Sequence, residues 1–291
     1  MHARPWEFGV KETPAREWSE GMGSLIAVAM FLGGISGGLY LASLYFNNIW
    51  GMFIAWLFAM GMGLFDMAHL SKPLRAWRIA FRAGSSWISR GFIFVILFLG
   101  AAGIQLLIHA ISSNAAAAPG PAEVFFRVVA GILAFGVAIY SGFVVGYVNG
   151  IKFWNSATMP VLVVTGGLAG GSAILLAIGS FASSPSFGNY EALARFALAA
   201  YGVILFVHLW VSTYSSPAAR DSAILLLKGN LSGIFWLAIV FIGIIVPLIL
   251  EFTLNQNAEA GLTISAVLVL VGNLAMRYSV IKAGRYSPLV A

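Results

Sequence analysis

Eight apolar runs, each long enough to cross a bilayer, constrain this chain more than any other feature. They fall at about 24–46, 51–69, 91–111, 125–148, 160–182, 193–214, 231–251 and 262–281. About 20 helical residues span roughly 30 Å of hydrocarbon. In lipid every backbone polar group must be satisfied internally, which leaves helices as the spanning elements. Composition agrees, since 60% of the residues are hydrophobic and 9% charged, against roughly a quarter charged in soluble domains. The sequence therefore predicts an all-α integral membrane protein with eight transmembrane helices. Residues 1–23 read as an N-terminal polar segment, 24–281 as the transmembrane domain and 282–291 as a C-terminal tail. The first segment lacks an apolar core, so no cleavable leader is expected and the first run is a span.

Turn chemistry separates the runs at NN (47–48), SSNAAAAPGP (112–121), SSPSFGN (183–189) and NQNAEAG (255–261). An even number of spans puts both termini on one side. Arg4, Lys11, Arg16, Lys72, Arg75, Arg78, Arg82, Arg90, Lys152, Arg220, Lys228, Arg277, Lys282 and Arg285 fall on that side; Arg127 and Arg195 fall on the other. An excess of Lys and Arg marks cytoplasmic loops, so the termini are expected in the cytoplasm. The net charge of +6 is thereby explained by orientation in a membrane, and no nucleic-acid partner is implied. There is no cysteine, which excludes disulfides, thiolate zinc sites, Cys-ligated iron–sulfur clusters and Cys-attached haem.

FLGGISGGLYLAS (31–43) and VTGGLAGGSAILL (164–176) share a GG-x-small-GG pattern and open the first and fifth spans. Small residues at this density let helix backbones approach closely. Their placement predicts two four-helix halves in parallel arrangement. A repeat of this kind is also compatible with a secondary transporter or ion-translocating subunit, the alternative reading of the chain.

Ionisable residues within apolar spans are costly, so each is a functional candidate. They are Asp66, His69, His109, His208 and Glu251, with Trp18 and Glu20 just before the first span and Tyr140 within the fourth. Asp66 and His69 are three apart and share a helix face. Either Asp66 pairs with a nearby arginine and fixes the following connection, or the two handle protons beside a quinone headgroup. Tyr140 is either an interfacial aromatic or a hydrogen-bond donor to a quinone carbonyl. His69 and His208 fall at similar depth, so a single bis-imidazole haem is conceivable and a second is excluded. No metal site is indicated.

Three stretches together resemble the polysulfide reductase membrane-subunit (NrfD-like) family. SKPLRAWRIAFRAGSSWISRG (71–91), with Asp66 before it, is similar to that family's basic connection. YSGFVVGYVNGIKFWNSATMPVLVVTGGLAGGSA (140–173) is similar to its Tyr-(Thr/Ser)-Gly…Phe-Trp-Asn-Ser…Pro run, and residues 31–43 to its first-span glycine pattern. The resemblance implies a multi-pass subunit of the inner (cell) membrane that works in electron transport such as anaerobic respiration. It would bind menaquinone or ubiquinone, hold no haem or covalent cofactor, and be either non-catalytic or quinone-reacting itself. The implied partners are a ferredoxin-like iron–sulfur subunit, a catalytic subunit, commonly a molybdopterin one, and membrane lipid. Carried over, Tyr140 matches the family tyrosine that hydrogen-bonds the quinone and Asp66 the acidic residue near the site, where Asp66 is expected to relay protons. Where some members use Asn and His in the first span, this chain has apolar GSLIAVAM (23–30), so Glu20, Trp18 or His69 is expected to supply the second contact. Arg75, Arg78 and Arg82 are expected to dock the partner.

Overall fold

A computed structural model describes residues 11–68, 70, 72–112 and 119–288. The eight spanning helices, numbered α1 to α8, are Ser24–Tyr45, Ile49–Ala68, Trp87–Ile111, Pro121–Gly146, Thr158–Phe181, Phe187–Ser215, Ile234–Thr253 and Glu259–Ala283. All eight are long and apolar enough to cross a membrane. The protein is a multi-pass membrane protein with the eight helices its sequence predicts.

The helices form two four-helix halves. In the first, α1 packs on α2 and α4, and α3 on α4; in the second, α5 packs on α6 and α8, and α7 on α8. The halves meet mainly through α1 and α5, with α4 against α5 and α8 against α1. Burial repeats with the same period. For α1 and α5, 72% and 67% of the apolar window is inside the protein, for α4 and α8 56% each, and for the other four helices 28–39%. The central helices are those rich in glycine. A Cβ on Gly38, Gly167 or Gly171 would strike the facing backbone itself, and one on Gly34 would press on the Arg277 side chain of α8. The two similar motifs are thus the seam between the halves, where backbone dispersion contacts replace side-chain interdigitation.

Elements too short or polar to span lie on the terminus-bearing side. A ten-residue 3-10 helix, Pro73–Arg82, follows α2, and an α-helix, Pro217–Leu227, follows α6. Ser86 caps α3 and Ser216 caps the second connecting helix, each satisfying a backbone N–H that the first turn leaves free. On the same side β1 (Thr13–Pro14) pairs antiparallel with β2 (Arg285–Tyr286), tying the chain's two ends together. Trp154, fully buried, donates its indole N–H to the Val280 carbonyl at 2.8 Å and meets Trp18 edge-on at 5.3 Å. The Phe-Trp-Asn-Ser stretch therefore plugs the second half and reaches across to the first.

Several boundaries differ from the apolar runs for a common reason. α6 begins at Phe187 rather than near 193, because Phe187 and Tyr190 are buried anchors in a locally polar stretch. α3 begins at Trp87, whose ring stacks on Phe143 at 4.2 Å. α7 is π-helical over Ile234–Ile245 and α-helical from Val246, one residue before Pro247. Arg277, placed among the loop charges by its position near a span end, is buried within α8 and donates to the Val163 carbonyl at 2.7 Å.

Candidate functional site

A cavity of about 530 Å³ opens in the first half near the terminus-bearing side. Its walls come from the terminus-side ends of four helices: Ile26 and Met30 of α1, the 60–67 stretch of α2, the 88–99 stretch of α3 and Tyr140 to Val144 of α4. Trp18 closes one end, and Ala76 and Ile79 on the inner face of the 3-10 helix close another. Leu64, Ile88 and Ile96 line the cavity yet are 69%, 55% and 53% exposed. The cavity therefore reaches the lipid-facing surface between α2 and α3.

Among the described residues nearly all of this wall is apolar; the polar exceptions are Asp66, Tyr140 and Ser141, with the indole of Trp18. The Tyr140 hydroxyl lies 3.5 Å from Asp66 Oδ2 and 3.9 Å from Met62 Sδ. Both distances are at the long limit for their type, so the phenol is held near the carboxylate without being fully committed to it. Its ring is fixed from behind: a Cβ at Gly91 would overlap Tyr140, lying 2.8 Å from the ring Cγ. Gly91 closes the Ser-Trp-Ile-Ser-Arg-Gly run and gives Tyr140 the room to lie flat against α3. Sequence reasoning did not single it out, although its position in that motif was the available signal.

Of the other candidates, the structure brings Trp18, Asp66 and Tyr140 to one cavity. Glu20 lies outside its wall, exposed and 3.9 Å from Arg16. His69 lies outside the described residues. His208 is fully buried, shares a hydrogen bond of 2.7 Å between Nδ1 and Thr158 Oγ1, and packs on Phe153 at 5.0 Å. His109 lies on the far side, 3.1 Å from Glu123, which also accepts from Arg127 at 2.6 Å. Among the described residues no group of three His, Cys, Asp or Glu side chains is placed to hold a metal ion.

Above the cavity the 3-10 helix turns a different face outward. Arg75, Arg78 and Arg82 are exposed, as are Leu74, Trp77 and Phe81. Arg78 lies over the Trp77 ring at 5.5 Å, and none of the three arginines has an ion pair among the described residues. Arg90 serves the connection instead, donating to the Ala83 and Gly84 carbonyls at 2.8 and 2.9 Å and lying over Trp87.

The NrfD polysulphide reductase family model matches residues 19–288. This chain belongs to that family. Among its relatives are the C subunit of polysulfide reductase from Wolinella succinogenes and the NrfD homolog protein of Haemophilus influenzae, 25% and 23% identical. Each match covers 89% of this chain and 93% of the relative. The NrfD match includes both halves of the helical domain, so the second half, which the motifs reached only at α5, belongs to it as well.

Proposed function

We propose that this chain is the quinone-binding membrane subunit of a multi-subunit oxidoreductase, passing electrons between the quinone pool and an iron–sulfur subunit. The observation that carries this reading is the lateral cavity. It is apolar, open toward lipid and has a phenol and a carboxylate at one point of its wall. Those walls fit a flat ring with a hydrocarbon tail, and the few polar groups fit the orientation of a carbonyl. A transporter would need polar groups along a route across the membrane, whereas this cavity is confined to the terminus-bearing ends of α1 to α4.

The quinone supplies two-electron chemistry coupled to two protons. On the protein side, Tyr140 donates its O–H to a ring carbonyl, and Trp18 covers the ring from the N-terminal side. Asp66, beside the Tyr140 oxygen, accepts and passes on the proton that the headgroup exchanges. Arg75, Arg78 and Arg82 present the partner with cationic donors on the outer face of the segment whose inner face lines the cavity. That segment is about 10 Å across, so a cluster docked on it lies close to the headgroup and no redox centre is needed in this chain. A relative named as the C subunit of a polysulfide reductase supports an assembly with iron–sulfur and catalytic subunits, of which molybdopterin enzymes are the leading class. The excess of positive charge supports termini and a docking face in the cytoplasm, with the protein in the inner membrane.

Gentle purification from the native membrane tests the proposal, using quinone extraction and paramagnetic resonance of the preparation. Iron–sulfur signals and stoichiometric quinone are expected, with the quinone lost in Tyr140→Phe. A single colourless polypeptide without quinone would overturn it.

A further inference from the structure

Hydroxyl groups in these helices mostly return to their own backbone. Ser180, Ser212, Ser222, Thr165, Thr213, Thr253 and Thr263 all donate to carbonyls three or four residues earlier. That bond satisfies the hydroxyl at no cost to tertiary packing. Ser141 departs from this habit. It is 3% exposed, its Oγ has no hydrogen-bond partner among the described residues, and it lines the cavity next to Tyr140. A buried hydroxyl without a partner is costly, and none of the other polar groups of this wall, Asp66, Tyr140 and Trp18, hydrogen-bonds it among the described residues.

The second half holds an internal comparison. Tyr278-Ser279 in α8 repeats Tyr140-Ser141 in α4, and Ser279 Oγ is also buried without a partner among the described residues. Ser279 lines a void of about 10 Å³ between α6, α7, α8 and the Pro217–Leu227 helix, the counterparts of the elements around the cavity. His208, whose Nε2 has no partner among the described residues, lines the same void, whose volume is that of about one water molecule. Phe153, Leu226, Phe235 and Met276 fill the remaining space. The same hydroxyl position therefore borders space in both halves, and only in the first is that space large enough for an organic ligand.

We infer that Ser141 is a second polar contact of the cavity, its Oγ donating a hydrogen bond to one ring carbonyl of the quinone while Tyr140 holds the other. The inference rests on the quinone reading of the cavity and deepens it. It gives a ring bound at two points a fixed orientation relative to Asp66, and it supplies from α4 a contact that the apolar start of α1 does not offer.

The test is direct binding of a short-chain naphthoquinone to the full-length protein in nanodiscs, measured by calorimetry. Ser141→Ala is expected to raise Kd by about 3- to 10-fold, the loss of one net hydrogen bond, while Ser141→Thr, which keeps the hydroxyl, stays near wild type. Ser279→Ala, which removes the matching hydroxyl from the second half, is expected to leave Kd unchanged and controls for effects on helix packing. If wild type binds and Tyr140→Phe weakens binding but Ser141→Ala does not, the role of Ser141 is overturned and the quinone reading stands. If wild type binds no naphthoquinone, the quinone reading itself falls. Equal weakening by Ser141→Ala and Ser279→Ala would also overturn the inference, because the effect would then be one of packing.

Discussion

At the scale of single residues, the site depends on one atom that is missing. Gly91 has no Cβ, and the Tyr140 ring occupies the space that a Cβ would need. Gly91→Ala forces the ring to move against a packed wall, and overpacking of this kind typically costs about 1–3 kcal/mol. The strain falls on the residue proposed to hold the ligand. Naphthoquinone affinity is therefore expected to drop by about ten-fold or more, while size-exclusion behaviour stays that of wild type. Unchanged affinity would show that the position of Tyr140 does not govern binding. Asp66 and Tyr140, 74 positions apart, illustrate the general point. Each was recognisable alone as a polar group in an apolar span, but their meeting at 3.5 Å is a product of helix packing. Glu20 shows the converse: its proximity to α1 in sequence did not bring it to the cavity, because the turn at 21–23 leaves it in solvent.

Between helices, the α1–α5 seam carries the largest commitment to small residues. Gly38 and Gly167 face each other so closely that a Cβ on either would meet opposing backbone, which has no flexible end to yield. Gly38→Val is expected to separate the halves locally and lower the thermal midpoint in detergent. Gly100→Ala in α3, where a Cβ meets nothing within 4 Å, is expected to leave stability unchanged or raise it slightly through better helix propensity. Equal midpoints for the two variants would show that the seam does not limit stability. The two matching glycine patterns and the close backbone approach they allow were legible in the sequence; that the two patterned helices pack on each other was not, because a motif does not name its partner. The connecting helices Pro73–Arg82 and Pro217–Leu227 were not legible either, because neither is apolar enough to register as a span and their packing face is short.

For the molecule as a whole, the question is which way it sits in the membrane. The two arginines on the far side are both engaged internally, Arg127 with Glu123 and Asn47, Arg195 with Glu191 and the Glu251 carbonyl. On the terminus-bearing side Arg75, Arg78 and Arg82 are exposed without ion pairs among the described residues, so the asymmetry in free charge exceeds the asymmetry in number. The burial of Arg277 removes one charge from that side without altering the sign. Because the protein has no cysteine, single substitutions report topology cleanly. Asn257→Cys is expected to react with an impermeant maleimide in intact spheroplasts, and Asn230→Cys only after the membrane is opened. The reverse pattern would place the termini and the docking face outside the cytoplasm.

The sequence by itself determined the number of spans, the shared side of the termini, the two-half plan and the membership of the protein in its family. These follow from local quantities: the length of an apolar run is set against a fixed hydrocarbon thickness, and a motif is read one residue after the next. Tertiary structure alone decided that the first half keeps an open cavity while its counterpart in the second is filled by Phe153, Leu226, Phe235 and Met276. It also decided which polar groups share that cavity and which arginine is buried. Those outcomes depend on how side chains from four or more elements fill one volume, and close packing makes that volume sensitive to every residue around it.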